Sequence, residues 1–151
     1  MLREDAEGAL TRVLLPMATL VTPNVREASV LSGRPIETLE QVKDAARAIA
    51  DLGPRAVVIT GGLGSGPATD LLYAGGEFKA FTNARIATTS THGTGCTFAS
   101  AIAAGLAKGL RLEEAVGQAK EYVTEAIRAS LDMGAGHGPL NHFYMLGKSL
   151  K

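Results

Sequence analysis

The apolar run at residues 56–60 is the feature of the sequence that most limits how this chain can fold. It reads Ala-Val-Val-Ile-Thr and ends in Gly61 and Gly62. Continuous β-branched runs are typical of strands covered on both faces, as in a parallel sheet sandwiched between helices. The run therefore predicts a buried strand and favours an α/β fold.

A second apolar run, at residues 18–22, is closed by Pro23 and Asn24. It predicts another buried strand, which leads into a turn. Helical spacing, capping residues and stop signals then predict helices over residues 4–15, 25–31, 38–52, 98–108 and 112–131.

The middle of the chain has a different pattern. Residues 70–73 and 77–81 flank an Ala-Gly-Gly turn, which predicts an antiparallel hairpin because glycine is free to adopt positive φ. A further extended piece is expected at residues 85–89. The whole pattern predicts an α/β protein with an antiparallel element.

The composition restricts the class of protein. The chain has 151 residues, of which 46% are hydrophobic, so residues 1–151 are expected to form a single domain or part of a larger one. Fifteen Lys and Arg balance fifteen Asp and Glu. The absence of a net charge argues against electrostatic binding of the whole chain to nucleic acid or to an acidic membrane. No apolar run approaches the roughly 18 residues of a membrane helix, and no signal-peptide pattern is present, so a cytoplasmic location is expected. The single Cys excludes an internal disulfide framework and a Cys-based zinc cluster.

The most informative motif is His92-Gly93-Thr94-Gly95-Cys96, which precedes a helix rich in Ala and Gly. Two glycines spaced in this way allow a sharp turn, and the helix adds unpaired amides and the positive end of its dipole. Such an anion hole suits a phosphate, or the charge that develops during phosphoryl transfer. The same field favours the thiolate of Cys96, which could take a proton from an attacking hydroxyl or lie against the transferring group.

Each part of this motif also has a simpler interpretation. A Gly-x-Gly turn before a helix is common, and a lone Cys is usually an inert buried residue. His92 alone suits a turn cap or a solvated side chain better than a general base. The spacing by itself leaves both interpretations open.

A second candidate site lies at the start of the helix predicted for residues 25–31. Asn24 and Glu27 are three positions apart, so both side chains can face the end of the preceding strand. An amide oxygen and a carboxylate suit hydrated Mg²⁺ beside nucleotide phosphates. The alternative is a local cap, with Asn24 at the N-cap and Glu27 three residues later.

The third candidate is Thr60-Gly61-Gly62, at the carboxyl end of the strongest predicted strand. Ligands of doubly wound sheets bind at such strand ends. A turn that simply requires glycine explains the same residues equally well.

These three motifs, in this order, resemble the hydroxymethylpyrimidine/hydroxymethylpyrimidine-phosphate kinases of thiamine biosynthesis, members of the ribokinase-like superfamily. The run Thr-His-Gly-Thr-Gly-Cys-Thr at residues 91–97 and the closing run Gly-His-Gly-Pro-Leu-Asn-His-Phe at residues 136–143 are the most specific parts of the match. Residues 14–16, 20–24, 27–28 and 61–62 match as well. The resemblance covers essentially the whole chain.

The resemblance implies transfer of the γ-phosphoryl group of ATP to a pyrimidine hydroxymethyl group or to its phosphate, with Mg²⁺ as cofactor. It also implies a mostly parallel sheet flanked by helices, with an antiparallel hairpin. By the same resemblance, the moving phosphoryl group would be held by Gly93, Thr94 and Gly95 next to Cys96. Mg²⁺ would be organised by Glu27, and the ATP phosphates would be lined by Asn24, Thr60, Gly62 and Thr91.

The chain departs from the family pattern in two ways. Thr60 stands where the family commonly has a Lys before the two glycines, so the hydroxyl brings no positive charge to ATP. The chain also resembles only the C-terminal part of the longer family members. We therefore expect an exposed sheet edge near residues 19–22, with a homo-oligomer or another chain supplying the missing N-terminal half. A pyridoxal kinase, or a non-catalytic nucleotide-binding or assembly module, is the alternative.

Overall fold

The computed structural model describes residues 8–130 and 136–146. The chain divides into two compact units, Met1–Ala84 and Arg85–Lys151. The assignment of residues 1–151 to a single domain remains a prediction, and the two units are described separately below.

The sheet of the first unit has three named strands in the order β1-β2-β3. Strand β1 (Ala56–Ile59) pairs antiparallel with β2 (Ala68–Ala74), which pairs antiparallel with β3 (Glu77–Asn83). All four residues of β1 are buried, as its continuous apolar run predicts. The predicted hairpin is confirmed as β2 and β3, with Gly75 and Gly76 both at positive φ in the two-residue turn.

Residues 18–22 do not form the full strand that the sequence predicts. The segment of residues 18–24 runs parallel to β1 through isolated bridges from Val21 to Val57 and from Asn24 to Thr60. Between the two bridges lies Pro23, which has no backbone N–H and so cannot donate to a ladder. The segment nevertheless provides parallel pairing beside the antiparallel sheet.

The outer edge of this segment is open. The backbone N–H and C=O groups of Leu20 and Thr22 have no hydrogen-bond partner among the described residues. Residues 18–24 carry no charged side chain, whereas β3, at the other edge of the sheet, carries Glu77 and Lys79. Charged residues protect sheet edges from pairing with another strand. The edge at β3 therefore has this protection, and the edge at residues 18–24 does not.

Helix α1 (Val25–Ser32) agrees with the prediction to one residue, and helix α2 (Leu39–Ala50) begins after the predicted cap Thr38. Thr38 and Gln41 form a reciprocal capping box at its start. The core of this unit joins α1, α2 and the sheet, and its buried members include Ala28, Val42, Ala45, Ala46, Ile49, Val57, Ile59 and Leu71.

The first predicted helix, residues 4–15, lies partly outside the described residues. The described part contains a π-helical turn at Leu10–Leu14 and a 3-10 turn at Leu15–Met17. Helical structure therefore extends past the predicted end at residue 15, with Pro16 at an early position of the 3-10 turn. A proline is tolerated there since the N–H it lacks would have no partner in that turn.

The second unit contains α3 (Thr94–Ala107) and α4 (Leu112–Arg128), which pack together. Helix α3 begins four residues before the predicted start at residue 98, because Gly93 at φ 85° serves as its N-cap. Residues 85–89, for which an extended piece is expected, belong to no strand. Residue 131, the predicted end of α4, lies outside the described residues.

Helix α4 starts without a favourable N-cap residue. Arg111 occupies that position, and its backbone N–H and guanidinium both donate to the carboxylate of Glu114, at 3.1 and 2.8 Å. These hydrogen bonds lower the pKa of Glu114. Across the described residues, we find no helix that is both long and apolar enough to cross a bilayer.

The packing of α2 against β1 predicts a measurable contribution of Ile49 to stability. Its side chain is fully enclosed, so Ile49→Ala leaves a cavity and is expected to lower the free energy of unfolding by about 2–5 kcal/mol. Val30→Ala, at an exposed position of α1, should change it by less than about 0.5 kcal/mol. Urea denaturation of both variants provides the measurement, and equal losses would contradict this account of the core.

Candidate functional site

Asn24 and Glu27 are joined by two reciprocal hydrogen bonds at the start of α1. The Asn24 N–H donates to Oε2 of Glu27 at 2.9 Å, and the Glu27 N–H donates to Oδ1 of Asn24 at 3.0 Å. The structure therefore contains the capping box that was the alternative to a metal site. Both side chains are exposed, so the second carboxylate oxygen of Glu27 is accessible.

Two of the sequence motifs come together at the end of β1. The Thr60 N–H donates to the carbonyl oxygen of Pro23 at 2.9 Å, and Asn24 bridges to Thr60 in parallel. The helix start at Asn24 and the glycine turn after Thr60 therefore lie side by side. The hydrogen bond ties the start of α1 to the strand end where the turn begins.

The turn after β1 uses both of its glycines. Gly61 has φ 96° and Gly62 has φ 66°, values that residues with a Cβ atom rarely adopt. A Cβ at Gly62 would lie 2.7 Å from the carbonyl oxygen of Pro67, whereas one at Gly61 would meet nothing within 4 Å. Gly62 is required by space as well as by conformation.

The motifs did not point to Asp70, which the structure places at this turn. Its side chain is 4% exposed, and its Oδ1 accepts the Gly61 N–H at 2.9 Å. The available signal was an acidic residue directly before two apolar residues of a buried strand, a position where a charge requires compensation.

In the second unit, the glycine turn is held by hydrogen bonds at its base. The hydroxyl of Thr94 donates to the carbonyl oxygen of Thr91 at 2.7 Å, and the Thr97 N–H donates to the carbonyl oxygen of Gly93 at 2.9 Å. No side chain caps α3, and the N–H groups of Gly95 and Cys96 have no hydrogen-bond partner among the described residues. These amides and the helix dipole form a site that favours an anion.

The closing motif supports the same turn from the other side. The His92 N–H donates to the carbonyl oxygen of Gly138 at 3.2 Å, and His92 bridges to Pro139. The ring Nδ1 of His137 lies 3.1 Å from the carbonyl oxygen of Thr89. The two most specific runs of the sequence are therefore in contact.

Cys96 is exposed and lies at one end of a groove between α3, α4 and the closing segment. The groove has a volume of about 700 Å³. Most of its lining was not identified from the motifs, because a contact between two helices and a later segment leaves no local signal in the sequence. Its lining includes Thr97, Ser100, Ala101, Ala104, Tyr122 and His142.

No group of three or more His, Cys, Asp or Glu side chains that could hold a metal ion occurs within residues 8–130 and 136–146. Any divalent cation at the Glu27 carboxylate would therefore need ligands other than such a cluster. Water and phosphate oxygens are the usual ones for Mg²⁺.

Comparison with known proteins gives a consistent result. The family model for phosphomethylpyrimidine kinase matches residues 1–141. The chain is 49% identical to the thiamine biosynthesis bifunctional protein ThiED of Geobacter sulfurreducens over 138 residues, which cover 91% of this chain and 28% of that protein. It is 46% identical to the hydroxymethylpyrimidine/phosphomethylpyrimidine kinase of Synechococcus elongatus over 145 residues, covering 95% of this chain and 55% of that protein.

A solved structure with the same fold is an ADP complex of Bacillus subtilis pyridoxal kinase. It superposes with a TM-score of 0.91 at 40% sequence identity and covers 97% of this chain and 58% of that one. The chain thus spans about half the length of the single-function kinases that it matches. The expected α/β, ribokinase-like fold is confirmed by these neighbours.

The geometry of the first glycine turn predicts different costs at two glycines. Gly62→Ala combines a positive φ with a clash against Pro67, so it should lower the free energy of unfolding by about 2–4 kcal/mol. Gly64 has φ 56° but open space around it, so Gly64→Ala should cost about 1 kcal/mol. Denaturant unfolding of the two variants measures the difference, and a smaller loss at Gly62 than at Gly64 would refute the steric argument.

Proposed function

This chain belongs to the phosphomethylpyrimidine kinase family, and from that premise we propose that it forms the phosphate-binding part of an ATP-dependent kinase. Its acceptors are 4-amino-5-hydroxymethyl-2-methylpyrimidine and the phosphate of that compound. The proposal is supported by the named activity of the relatives and by the ADP bound to a structural neighbour. The closing run at residues 136–143 favours these acceptors over pyridoxal.

The observation that carries the proposal is the start of α3. The N–H groups of Gly95 and Cys96 have no partner among the described residues, and the turn before them is fixed by Thr94 and Gly93. Phosphoryl transfer spreads negative charge over the equatorial oxygens of the moving group. Amides that are already oriented stabilise this charge without reorganisation during the reaction.

We assign the roles in this second unit accordingly. Gly93, Thr94 and Gly95 hold the transferring phosphoryl group. Cys96, exposed at the third position of α3, lies beside the acceptor hydroxyl, where a thiolate can accept its proton. Thr91 contributes to binding the ATP phosphates. Each of these residues acts by holding the reacting groups in the correct relative positions, which is the main requirement of phosphoryl transfer.

In the first unit, Asn24, Thr60 and Gly62 bind ATP phosphates. The donor set at the start of α1 fits Mg²⁺, because Glu27 uses only one carboxylate oxygen in the capping box and the other can contact the ion directly or through water. When bound, Mg²⁺ neutralises charge on the phosphates. Thr60 contributes a hydroxyl and no charge, so the affinity for ATP depends on the backbone amides and on the cation.

The activity is tested by ADP release from Mg²⁺-ATP with hydroxymethylpyrimidine phosphate as acceptor. Cys96→Ala should reduce acceptor-dependent release about 100-fold or more while binding of ATP stays nearly unchanged. Lys43→Ala, an exposed position of α2 whose ammonium pairs with Glu40, is the matched control and should keep full activity.

Three results would change the proposal. Release that continues in Cys96→Ala would remove Cys96 from the mechanism. Faster release with pyridoxal than with the pyrimidine would favour the pyridoxal kinase alternative, for which the ADP-bound neighbour provides the supporting observation. ATP binding without any acceptor-dependent release would favour a non-catalytic nucleotide-binding module.

The backbone groups of Leu20 and Thr22 that have no partner among the described residues are available for pairing with a further strand. The single-function kinases are about twice as long as the matched region, and we propose that a strand pairing at this edge accompanies groups that hold the pyrimidine. The exposed apolar side chains of Val13, Leu14 and Met17 support contact in the same region. A second copy of this chain, or a polypeptide equivalent to the unmatched half of those kinases, can provide the strand.

Pairing at this edge predicts that the molar mass in solution depends on residue 19. Thr19 is exposed, and Thr19→Lys places a charge where another strand would approach. Light scattering is measured on the unaltered chain alone and on its mixture with the unmatched half of the Synechococcus elongatus kinase. At least one of the two samples should contain an assembly larger than the monomer. Thr19→Lys should shift that assembly toward the monomer. An unaltered mass distribution in the variant would rule out pairing along residues 19–22.

A further inference from the structure

Asp70 is a buried acidic residue to which the proposed reaction gives no role. It lies in the middle of β2, with 4% of its surface exposed, and is followed by the buried residues Leu71 and Leu72. An ionised carboxylate in such a position is costly unless hydrogen bonds compensate for the lost water. The Gly61 N–H, at 2.9 Å from Oδ1, supplies one of them.

The position of this hydrogen bond in the sheet is informative. The ladder between β1 and β2 runs to the pair Ile59 and Leu71. Beyond Thr60, the chain leaves the sheet into the glycine turn, and there the Asp70 side chain accepts the N–H of Gly61. The carboxylate thus extends the sheet contacts beyond the end of the ladder.

The hydrogen bond also distinguishes the two glycines of the turn. The N–H of Gly61 is directed to Asp70, whereas the N–H of Gly62 has no partner among the described residues. The carbonyl oxygen of Pro67 fills the space that a Cβ at Gly62 would need, at 2.7 Å from that position. Asp70 therefore holds the turn at Gly61, and Gly62 provides the amide that is available to an anion.

We propose that Asp70 is a positioning residue, whose buried carboxylate orders the Gly61–Gly62 turn so that the Gly62 amide binds a nucleotide phosphate. The inference rests on the proposed ATP-dependent function. Asp70 acts through Gly61 and does not touch the ligand. Because a negative charge near phosphates opposes their binding, what Asp70 contributes is the acceptor oxygen and its placement, not its charge.

Two substitutions separate placement from charge. Asp70→Asn keeps an oxygen that can accept the Gly61 N–H and removes the charge, so the affinity for the ATP analogue AMP-PCP should stay within about twofold or increase. Asp70→Ala removes the acceptor, so the affinity should fall about tenfold, the size expected for one hydrogen bond that orders the site. Asp44→Ala, which alters an exposed carboxylate of α2, is the control and should leave the affinity unchanged.

The full chain is titrated with AMP-PCP and Mg²⁺ by calorimetry, and amide exchange of Gly61 is followed by NMR. Asp70→Ala should accelerate exchange at Gly61, and Asp70→Asn should restore protection, a rescue that general loss of stability would not produce. If Asp70→Ala fails to fold, Gly61→Ala perturbs the same turn through φ alone, since its Cβ meets nothing within 4 Å. That variant should also weaken binding of AMP-PCP.

Results that contradict the role of Asp70 differ from results that contradict the proposed kinase function. An unchanged affinity in Asp70→Ala or Gly61→Ala, or an equal loss in Asp70→Asn and Asp70→Ala, would overturn the positioning role while leaving the kinase proposal intact. Absence of AMP-PCP binding by the unaltered chain would overturn the proposed function and the inference that rests on it.

Discussion

The hydrogen bond from the Thr60 N–H to the Pro23 carbonyl oxygen is the contact on which the first unit's site depends. It joins the end of β1 to the residue before the N-cap of α1, so a strand end and a helix start meet at one place. Asn24 then begins the helix and Gly61 begins the turn. Together with the bridge from Val21 to Val57, this contact brings together two motifs that are more than thirty residues apart in the sequence.

Both units bind anions, in the function proposed, mainly through backbone amides. In each, glycines at positive φ place the chain so that amides without an internal partner are exposed, at Gly62 and at Gly95 and Cys96. Peptide dipoles carry no net charge, so they require no counter-ion when the ligand is absent. Their orientation must be fixed by neighbours, which are Asp70 in one unit and Thr91 in the other.

Local features of the fold could be predicted from the sequence, and features set by distant contacts could not. The hairpin around Gly75 and Gly76 and the cap at Thr38 depend on neighbouring residues, and both were predicted correctly. The start of α3 was placed four residues late because Gly95 is a poor helix former and only the structure shows that Gly93 caps the helix. The role of Asp70 depends on β1 and β2 being paired in one register, which no short pattern encodes.

Gly105 sets how closely α3 and α4 approach each other. A Cβ there would lie 3.0 Å from the Cβ of Ala115 in α4 and 3.3 Å from Cδ1 of Leu110 in the connection between the helices, so a larger residue would require these side chains to shift. The groove that begins at Cys96 includes Gly105, nine residues and about 14 Å farther along the helix axis. The absence of a side chain at Gly105 therefore allows the wall of the groove to pack closely at this level, and any larger residue there would move Ala115 or Leu110.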